Sequence, residues 1–326
     1  MESGKFVSKG SDRLDKLLSS ELKVSRNQVE KLIKSGLVKV DGKSVIKPSF
    51  KVIENMQIEY IFKEAPKESF KNIDLNIDIL FEDDDILVLN KPSGLVVHPA
   101  PSVKEPTLVD WLRQNNIRLS TISGEERNGI VHRLDKDTSG AILIAKNNFA
   151  HEALSSQLQN RSMGRYYVAI INYPLKDNCI INKPIARNPK NRLKMAVVDG
   201  GKEAKTAFAK LSLSKDNEEL VLAKLFSGRT HQIRVHLSSI NRYILGDNLY
   251  APKNEIFKNR IFLHASLLYF IHPRSNQLIE IEAPLFDDMR GYIDKNFSKG
   301  FESENLKSYK IKEYFKDINS TFVTIS

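Results

Sequence analysis

Two stretches near the start of the chain carry apolar residues at helical spacing. Leu14, Leu17 and Leu18 share one face over residues 12–21, and Val29, Leu32 and Ile33 share one face over residues 25–35. Ser25 with Gln28 three residues later forms a capping-box start for the second helix, and Gly36 supplies its stop. The period then changes to that of a strand. Val38 and Val40 flank Lys39, Asp41-Gly42 forms a hairpin turn, and apolar positions alternate through Val52, Ile53, Ile58 and Tyr60. Residues 63–73 are polar, contain Pro66 and read as a linker between this module and the rest of the chain.

The remaining pattern predicts a larger domain of mixed elements. Ile77 to Leu89 reads as two strands around Asp83-Asp84-Asp85. Three consecutive carboxylates point in diverging directions, so this triplet reads as a solvated turn rather than a metal site. Helices are predicted over residues 107–116, with Trp111 in the core, and over 147–160, where Phe149, Ala153, Leu154 and Leu158 form the apolar face. Residues 165–171 are rich in β-branched and aromatic side chains and predict a strand. On that strand Tyr166 and Tyr167 point to opposite faces, so at most one of them can serve a shared cleft. Thr230, Ile233, Arg234 and Leu237 fall on one side of a further helix, and Leu267–Phe270 and Leu278–Ile281 read as late strands. Lone His98 reads as a hydrogen-bonded structural residue.

Composition narrows the class. The 326 residues, 41% hydrophobic and 28% charged, suit one large globular domain plus a small one. A single cysteine, Cys179, excludes an intramolecular disulfide and makes a thiolate metal site implausible. The first apolar run, Phe6-Val7, is too short for a signal peptide, and no stretch approaches the ~18 apolar residues of a membrane span. A soluble, cytoplasmic, monomeric protein is expected. The formal net charge of +10 and sequence pI near 9.4 favour an anionic partner, nucleic acid first among them. Charge is also unevenly placed: residues 1–51 hold 12 Lys and Arg against 6 Asp and Glu. Residues 183–205 carry Lys183, Arg187, Lys190, Arg192, Lys194, Lys202 and Lys205, broken by glycines and prolines, and read as an irregular RNA-facing segment.

Candidate chemistry concentrates in Gly129–Gly140, G-I-V-H-R-L-D-K-D-T-S-G, which is followed by the strand-like run 141–145. In an extended backbone Arg133 and Asp135 would face the same side, giving an acid and a base beside a buried strand. Arg234 lies on an otherwise apolar helical face. A buried guanidinium needs a carboxylate, and Asp135 is the natural candidate. His231 and His236 are five residues apart and do not share a helical face, which argues against a zinc pair.

These motifs together resemble the RluA/RluD family of RNA pseudouridine synthases. The match is carried by N-K-P-S-G-L-V-V-H-P at 90–99, the 129–140 stretch, R-Y-Y-V-A at 165–169 and G-R-T-H-Q-I-R-V-H at 228–236, with L-G-D at 245–247 and L-H-A at 263–265 in support. Residues 1–62 resemble an S4 RNA-binding domain through R-L-D-K-L-L and S-R-N-Q-V-E-K-L-I-K-S-G-L-V-K-V-D-G-K. The resemblance implies an α+β chain. Its catalytic domain, residues 74–295, would have a mixed, mostly antiparallel sheet with flanking helices. A small α/β S4-like module would precede it, and residues 296–326 would form a C-terminal extension without assigned role. It also implies the site. Asp135 matches the catalytic aspartate, Tyr167 the tyrosine stacked on the target base, and Arg234 the basic residue paired with the aspartate. Arg133 matches an arginine that holds the flipped-out nucleotide, which leaves the carboxylate to Arg234. Leu263 matches an apolar neighbour of the base. His132 and Arg229 complete the substrate contacts, and Arg26, Lys31 and Lys34 contact RNA from the S4-like module.

The implied reaction cleaves the uridine C1′–N1 bond, turns the uracil and joins C1′ to C5. It is neither a redox reaction nor a hydrolysis and calls for no cofactor, nucleotide or metal. Flipping the uridine out of its stack costs a few kcal/mol, offset by contacts in a fitted pocket. An ionised carboxylate can serve as nucleophile or as general base, and a neighbouring cation favours that form. Two-domain members of the family mainly modify large-subunit ribosomal RNA, which makes that RNA the first expectation and tRNA the second. A non-catalytic RNA-binding assembly factor would not need to retain Asp135, Tyr167 and Arg234 together. A glycoside hydrolase would need a second, separated carboxylate, and Asp137 is too close to Asp135 to supply it; it reads as a turn residue.

Overall fold

The computed structural model describes residues 2–22, 26–62, 73–100, 103–122, 127–252, 260–297 and 306–326. The chain divides into two compact units, Met1–Lys71 with Thr121–Asn128, and Asn72–Ser120 with Gly129–Ser326. Ser25 and nearly all of the 63–73 linker lie outside the described residues, as do the side chains of Gln28 and Lys31.

The smaller unit contains β1 (Glu2–Val7), β2 (Asp12–Arg13), α1 (Leu14–Leu22), α2 (Arg26–Lys34), β3 (Val38–Val40), β4 (Lys43–Ser44), β5 (Lys51–Val52) and β6 (Gln57–Phe62). Its main sheet runs β1-β6-β3-β4. Leu14, Leu18, Val29, Leu32 and Ile33 of the helices pack on Val38, Val40 and Ile58. The two-residue turn between β3 and β4 places Asp41 and Gly42 at φ 48° and 75°, the left-handed geometry that hairpin turns require.

The larger unit is built on one eleven-stranded sheet. In chain order its elements are β7 (Asp78–Glu82), β8 (Ile86–Lys91), α3 (Leu108–Gln114), β9 (Ser139–Ala145), α4 (Asn148–Gln159), β10 (Gly164–Asn172), β11 (Cys179–Asn182), β12 (Ile185–Arg187), β13 (Met195–Val197), β14 (Lys205–Leu213) and β15 (Glu218–Leu225). There follow α5 (Gln232–Ser238), β16 (Tyr243–Ile244), β17 (Leu263–Ile271), β18 (Leu278–Glu282), α6 (Asp287–Asn296), α7 (Ser308–Glu313), α8 (Ile318–Thr321) and β19 (Val323–Ile325). The strand order is β19-β11-β14-β15-β10-β17-β9-β8-β7, with β16 on β10 and β18 on β17. The pairs are antiparallel except β17 with β9 and β11 with β19, so the sheet is mixed and mostly antiparallel.

Alternation along the central strands sends side chains into separate cores. Tyr167, Ala169, Ile171, Val221 and Ala223 face Trp111, Ile233 and Leu237. Tyr166, Val168, Ile170, Leu220 and Leu222 face Met289, Ile293, Ile311 and Phe315. Residues 306–326 thus pack on the large sheet, and the Phe315 ring lies 5.4 Å from that of Tyr166. Helix α4 covers β8 and β9 through Ala150 and Leu154.

Asp83–Asp85 differs from the solvated turn its composition suggests. Asp85 is buried and accepts two hydrogen bonds from Arg274, at 2.6 and 2.7 Å, and one from Asn147 at 2.8 Å. Asp83 caps its own turn through the Asp85 and Ile86 amides and meets His272 at 2.7 Å. Arg274 and His272 lie 189 positions further along the chain, where no local pattern reveals them. The 183–205 segment also departs from an irregular loop. Its strands β12 and β13 form an antiparallel hairpin, with Ile185, Met195 and Val197 packed against Val235 of α5.

Candidate active site

The Gly129–Gly140 stretch owes its course to the neighbouring 90–95 turn. The Lys91 side chain is fully buried, and its ammonium donates to the carbonyls of Pro92, Leu95 and Lys136 at 2.8 to 2.9 Å. Ser93 Oγ donates to the Asp137 carbonyl, and the Gly94 amide to that of Lys136. The N-K-P-S-G motif is therefore a cradle for the backbone just after Asp135. Burial pushes Lys91 down to about 7, while three carbonyl oxygens aimed at one nitrogen favour its charged form.

The stretch then enters β9 beside β17. Gly140 sits at φ 110°, and a Cβ there would lie 2.3 Å from the Ala265 carbonyl oxygen. Only glycine permits this approach. Ser139 meets His264 Nδ1 at 2.9 Å and accepts from Arg260 at 2.6 Å. Across the next pair, Tyr166 is opposite Leu267 and Tyr167 opposite Ala265, which leaves Ser266 in a bulge. Such a bulge re-aims the neighbouring side chains, and Tyr167 and Leu263 both reach the same pocket.

Two cavities meet at Asp135. The inner one, about 50 Å³, is lined by Arg133, Asp135, Arg165, Tyr167, Arg229 and Leu263 among others. The outer one, about 560 Å³, is lined by Arg133, Asp135, Asp137, His231, Arg234 and Arg260 among others. Arg133, Asp135, His231 and Arg234 border both. The Asp135 side chain retains 15% of its exposure, so its carboxylate remains open to a ligand.

Arg234 is held differently from its simple pairing with Asp135. Nε and Nη2 donate to Asp247 at 2.7 and 2.8 Å, and Nη1 lies 3.4 Å from Asp135 Oδ2. The two carboxylates raise the guanidinium above its ordinary value despite burial. Asp247, buried and also accepting from the Leu249 and Tyr250 amides, borders this arrangement although the sequence pattern assigns it no role of its own. Its signal was L-G-D itself, a lone acid in an apolar setting.

Other motif residues fasten the frame. Gln232 joins Ser227, the Arg229 amide, the Lys205 carbonyl and Thr206, while His236 bridges Thr206 and the Lys183 carbonyl. They fix α5 to β14 and thereby Arg234. His132 belongs to this group and lines neither cavity. It is buried, its Nε2 accepts from the Leu143 amide, and burial pushes it down to about 3, so it is a neutral support for β9. Tyr167 is pushed up to about 12 by burial and stays protonated. Arg165, lowered by burial, lies against Gly228, and its buried Nε makes no hydrogen bond among the described residues. Arg133 and Arg229 are exposed, and Arg229 Nε donates to the Glu203 carbonyl. Arg26 and Lys34 are exposed on α2 of the smaller unit. Among the described residues no group of three or more His, Cys, Asp or Glu could hold a metal ion, and no helix is long and apolar enough to cross a membrane.

Comparison with known proteins accounts for this arrangement. The RNA pseudouridylate synthase family model matches residues 85–239, and the S4 domain model matches residues 12–58. An uncharacterized RNA pseudouridine synthase of Helicobacter pylori is 49% identical over 93% of this chain and 95% of its own length. The chain belongs to the RNA pseudouridine synthase family. A ribosomal large subunit pseudouridine synthase D of Zymomonas mobilis is 39% identical to this synthase over 85% of the chain and 92% of its own. Human RNA pseudouridylate synthase domain containing 1 shares the fold, with TM-score 0.55 and 24% identity over 66% of the synthase and 86% of the human chain. The synthase is thus an enzyme that acts on RNA, with an S4 module at residues 12–58.

Proposed function

We propose that this synthase isomerises specific uridines of large-subunit ribosomal RNA, with Asp135 as the reacting carboxylate. One observation carries the reading: Asp135 is the acid at the junction of a pocket walled by Tyr167 and Leu263 and a wider groove bordered by Arg133, Arg234 and Arg260. A uracil turned out of its stack lies against the Tyr167 ring, and the exposed Arg133 meets a flanking phosphate. Asp135 acts on the ribose, either by bonding to C1′ and leaving again as C5 takes its place, or by removing a ribose proton that it later returns. The C1′–N1 bond breaks, the base turns, C1′ joins C5, the C5 proton leaves and N1 gains one. Arg234 is buried beside the carboxylate and needs no rearrangement to balance its charge.

The target is supported by the S4 module, the net charge of +10 and the likeness to a large-subunit enzyme. The test is tritium release from C5-labelled uridine in large-subunit ribosomal RNA and in tRNA transcripts. Release from the ribosomal transcript with none from tRNA is expected. The reverse selectivity would transfer the target to tRNA, and no release from either RNA, with binding intact, would favour a non-catalytic role.

A further inference from the structure

His231 has no part in the mechanism above, yet its surroundings are built. It precedes α5 with φ 57°, a left-handed backbone that is costly for a non-glycine residue. Its ring stands edge-on to Tyr250, with centroids 5.6 Å apart. Nδ1 lies 2.9 Å from the Tyr250 hydroxyl, and Nε2 lies 4.0 Å from Asp135 Oδ2.

The hydroxyl bears on which nitrogen holds the proton. It accepts the Met195 amide of β13 at 2.8 Å, and the one acceptor facing its own proton among the described residues is His231 Nδ1. Burial pushes Tyr250 up to about 12, so the phenol keeps that proton. Donated to Nδ1, that proton leaves the imidazole hydrogen on Nε2, the nitrogen 4.0 Å from Asp135 Oδ2. Burial also lowers His231, against the pull of Asp135, so the ring is neutral near pH 7. The Tyr250 ring itself lies 5.0 Å from the Arg234 guanidinium and 5.7 Å from Lys194 Nζ on the basic hairpin.

We propose that His231 is a positioning residue. Its Nε2–H, fixed in direction by the Tyr250 hydroxyl and through it by the β12–β13 hairpin, orients the Asp135 carboxylate beside Arg234 and closes to a hydrogen bond when substrate fills the groove. The hairpin carries Arg187, Lys190, Arg192 and Lys194, so RNA that seats it also seats the carboxylate. This rests on Asp135 being the reacting group; an active Asp135→Asn variant would remove that premise separately.

The experiment combines nitrogen-15 NMR of histidine-labelled full-length protein with single-turnover kinetics and RNA binding. At pH 7.5 His231 is expected as the neutral Nε2–H tautomer. Tyr250→Phe keeps the ring on Arg234 but removes the hydroxyl. It should give mixed His231 tautomers and about a tenfold slower single turnover, with RNA affinity within about twofold, because losing the group that fixes an imidazole tautomer harms chemistry more than binding. His231→Asn, which tolerates a left-handed backbone, should show the same split between rate and affinity. An Nδ1–H tautomer or an imidazolium in the unaltered protein overturns the proposal. So does wild-type turnover in either variant, or a loss confined to affinity.

Discussion

Arg234 gives two of its three nitrogens to Asp247, at 2.7 and 2.8 Å, and so Asp247, not Asp135, is what holds the guanidinium in place. Removing Asp247 leaves a buried cation half-paired. Asp247→Ala is expected to cost roughly 3–5 kcal/mol of stability and, through a displaced Arg234, about 100-fold in turnover. Arg234→Ala should be comparably severe and Arg229→Ala mild, since Arg229 is exposed and makes one backbone contact. Denaturant midpoints and tritium release on the three variants check the order.

Asp135→Asn keeps the shape of the side chain and removes its charge. Pseudouridine formation should fall below detection, while RNA affinity stays within about threefold, because the arginines supply most of the phosphate contact. Gel-shift affinity and product analysis on the same preparation separate the two effects. Normal product formation would end the assignment of Asp135.

Lys91→Met replaces an ammonium that serves three carbonyls with an apolar chain of similar length. We expect a loss of roughly 2–4 kcal/mol, since buried acceptors are left unmet. Turnover should drop as well, because the Lys136 carbonyl is released one residue after Asp135. Thermal unfolding and single-turnover rates measure both.

Asp85 predicts an acid limb of stability. Arg274 and Asn147 hold its carboxyl at about 2, below the ordinary 3.8. The folded form therefore binds this proton less readily than the unfolded chain. The contribution, about 2 kcal/mol, is fully present above about pH 5 and is lost as pH falls through 4 toward 2. Asp85→Asn should be less stable at pH 7 and flatter between pH 5 and 3. Fluorescence of Trp111, the single tryptophan, reports the larger unit.

Arg26 and Lys34 are exposed on α2, and Lys34 is engaged by Glu30 at 3.2 Å across solvent, a weak tie. The double change to Ala should weaken RNA binding and lower the slope of log affinity against log salt by between about 1 and 2. An unchanged slope would take these residues off the RNA.

What the sequence could reveal depended on distance along the chain. The opposition of Tyr166 and Tyr167 was legible because strand alternation is a local rule, and their two separate cores follow it. The hairpin at Asp41-Gly42 was legible for the same reason. The demand of Arg234 for a carboxylate was also readable, but the choice between Asp135 and Asp247 was not. Both lie in loops, and only the packed position of α5 decides which one the fork meets. His132 shows the limit from the other side. The family resemblance sets it among the substrate contacts, yet the ring turns inward to the Leu143 amide, a partner set by β9 closing over it. Asp85 was hidden because its cation comes from Arg274.

The parallel contact of Ser139 and Gly140 with His264 and Ala265 joins segments separated by 125 positions. Pairings of that separation are slow to find, since the intervening chain must be ordered first. During synthesis, Asp135 leaves the ribosome long before Leu263, the residue that completes its pocket. All residues of the S4 module are therefore made well before β17, the strand that completes the pocket.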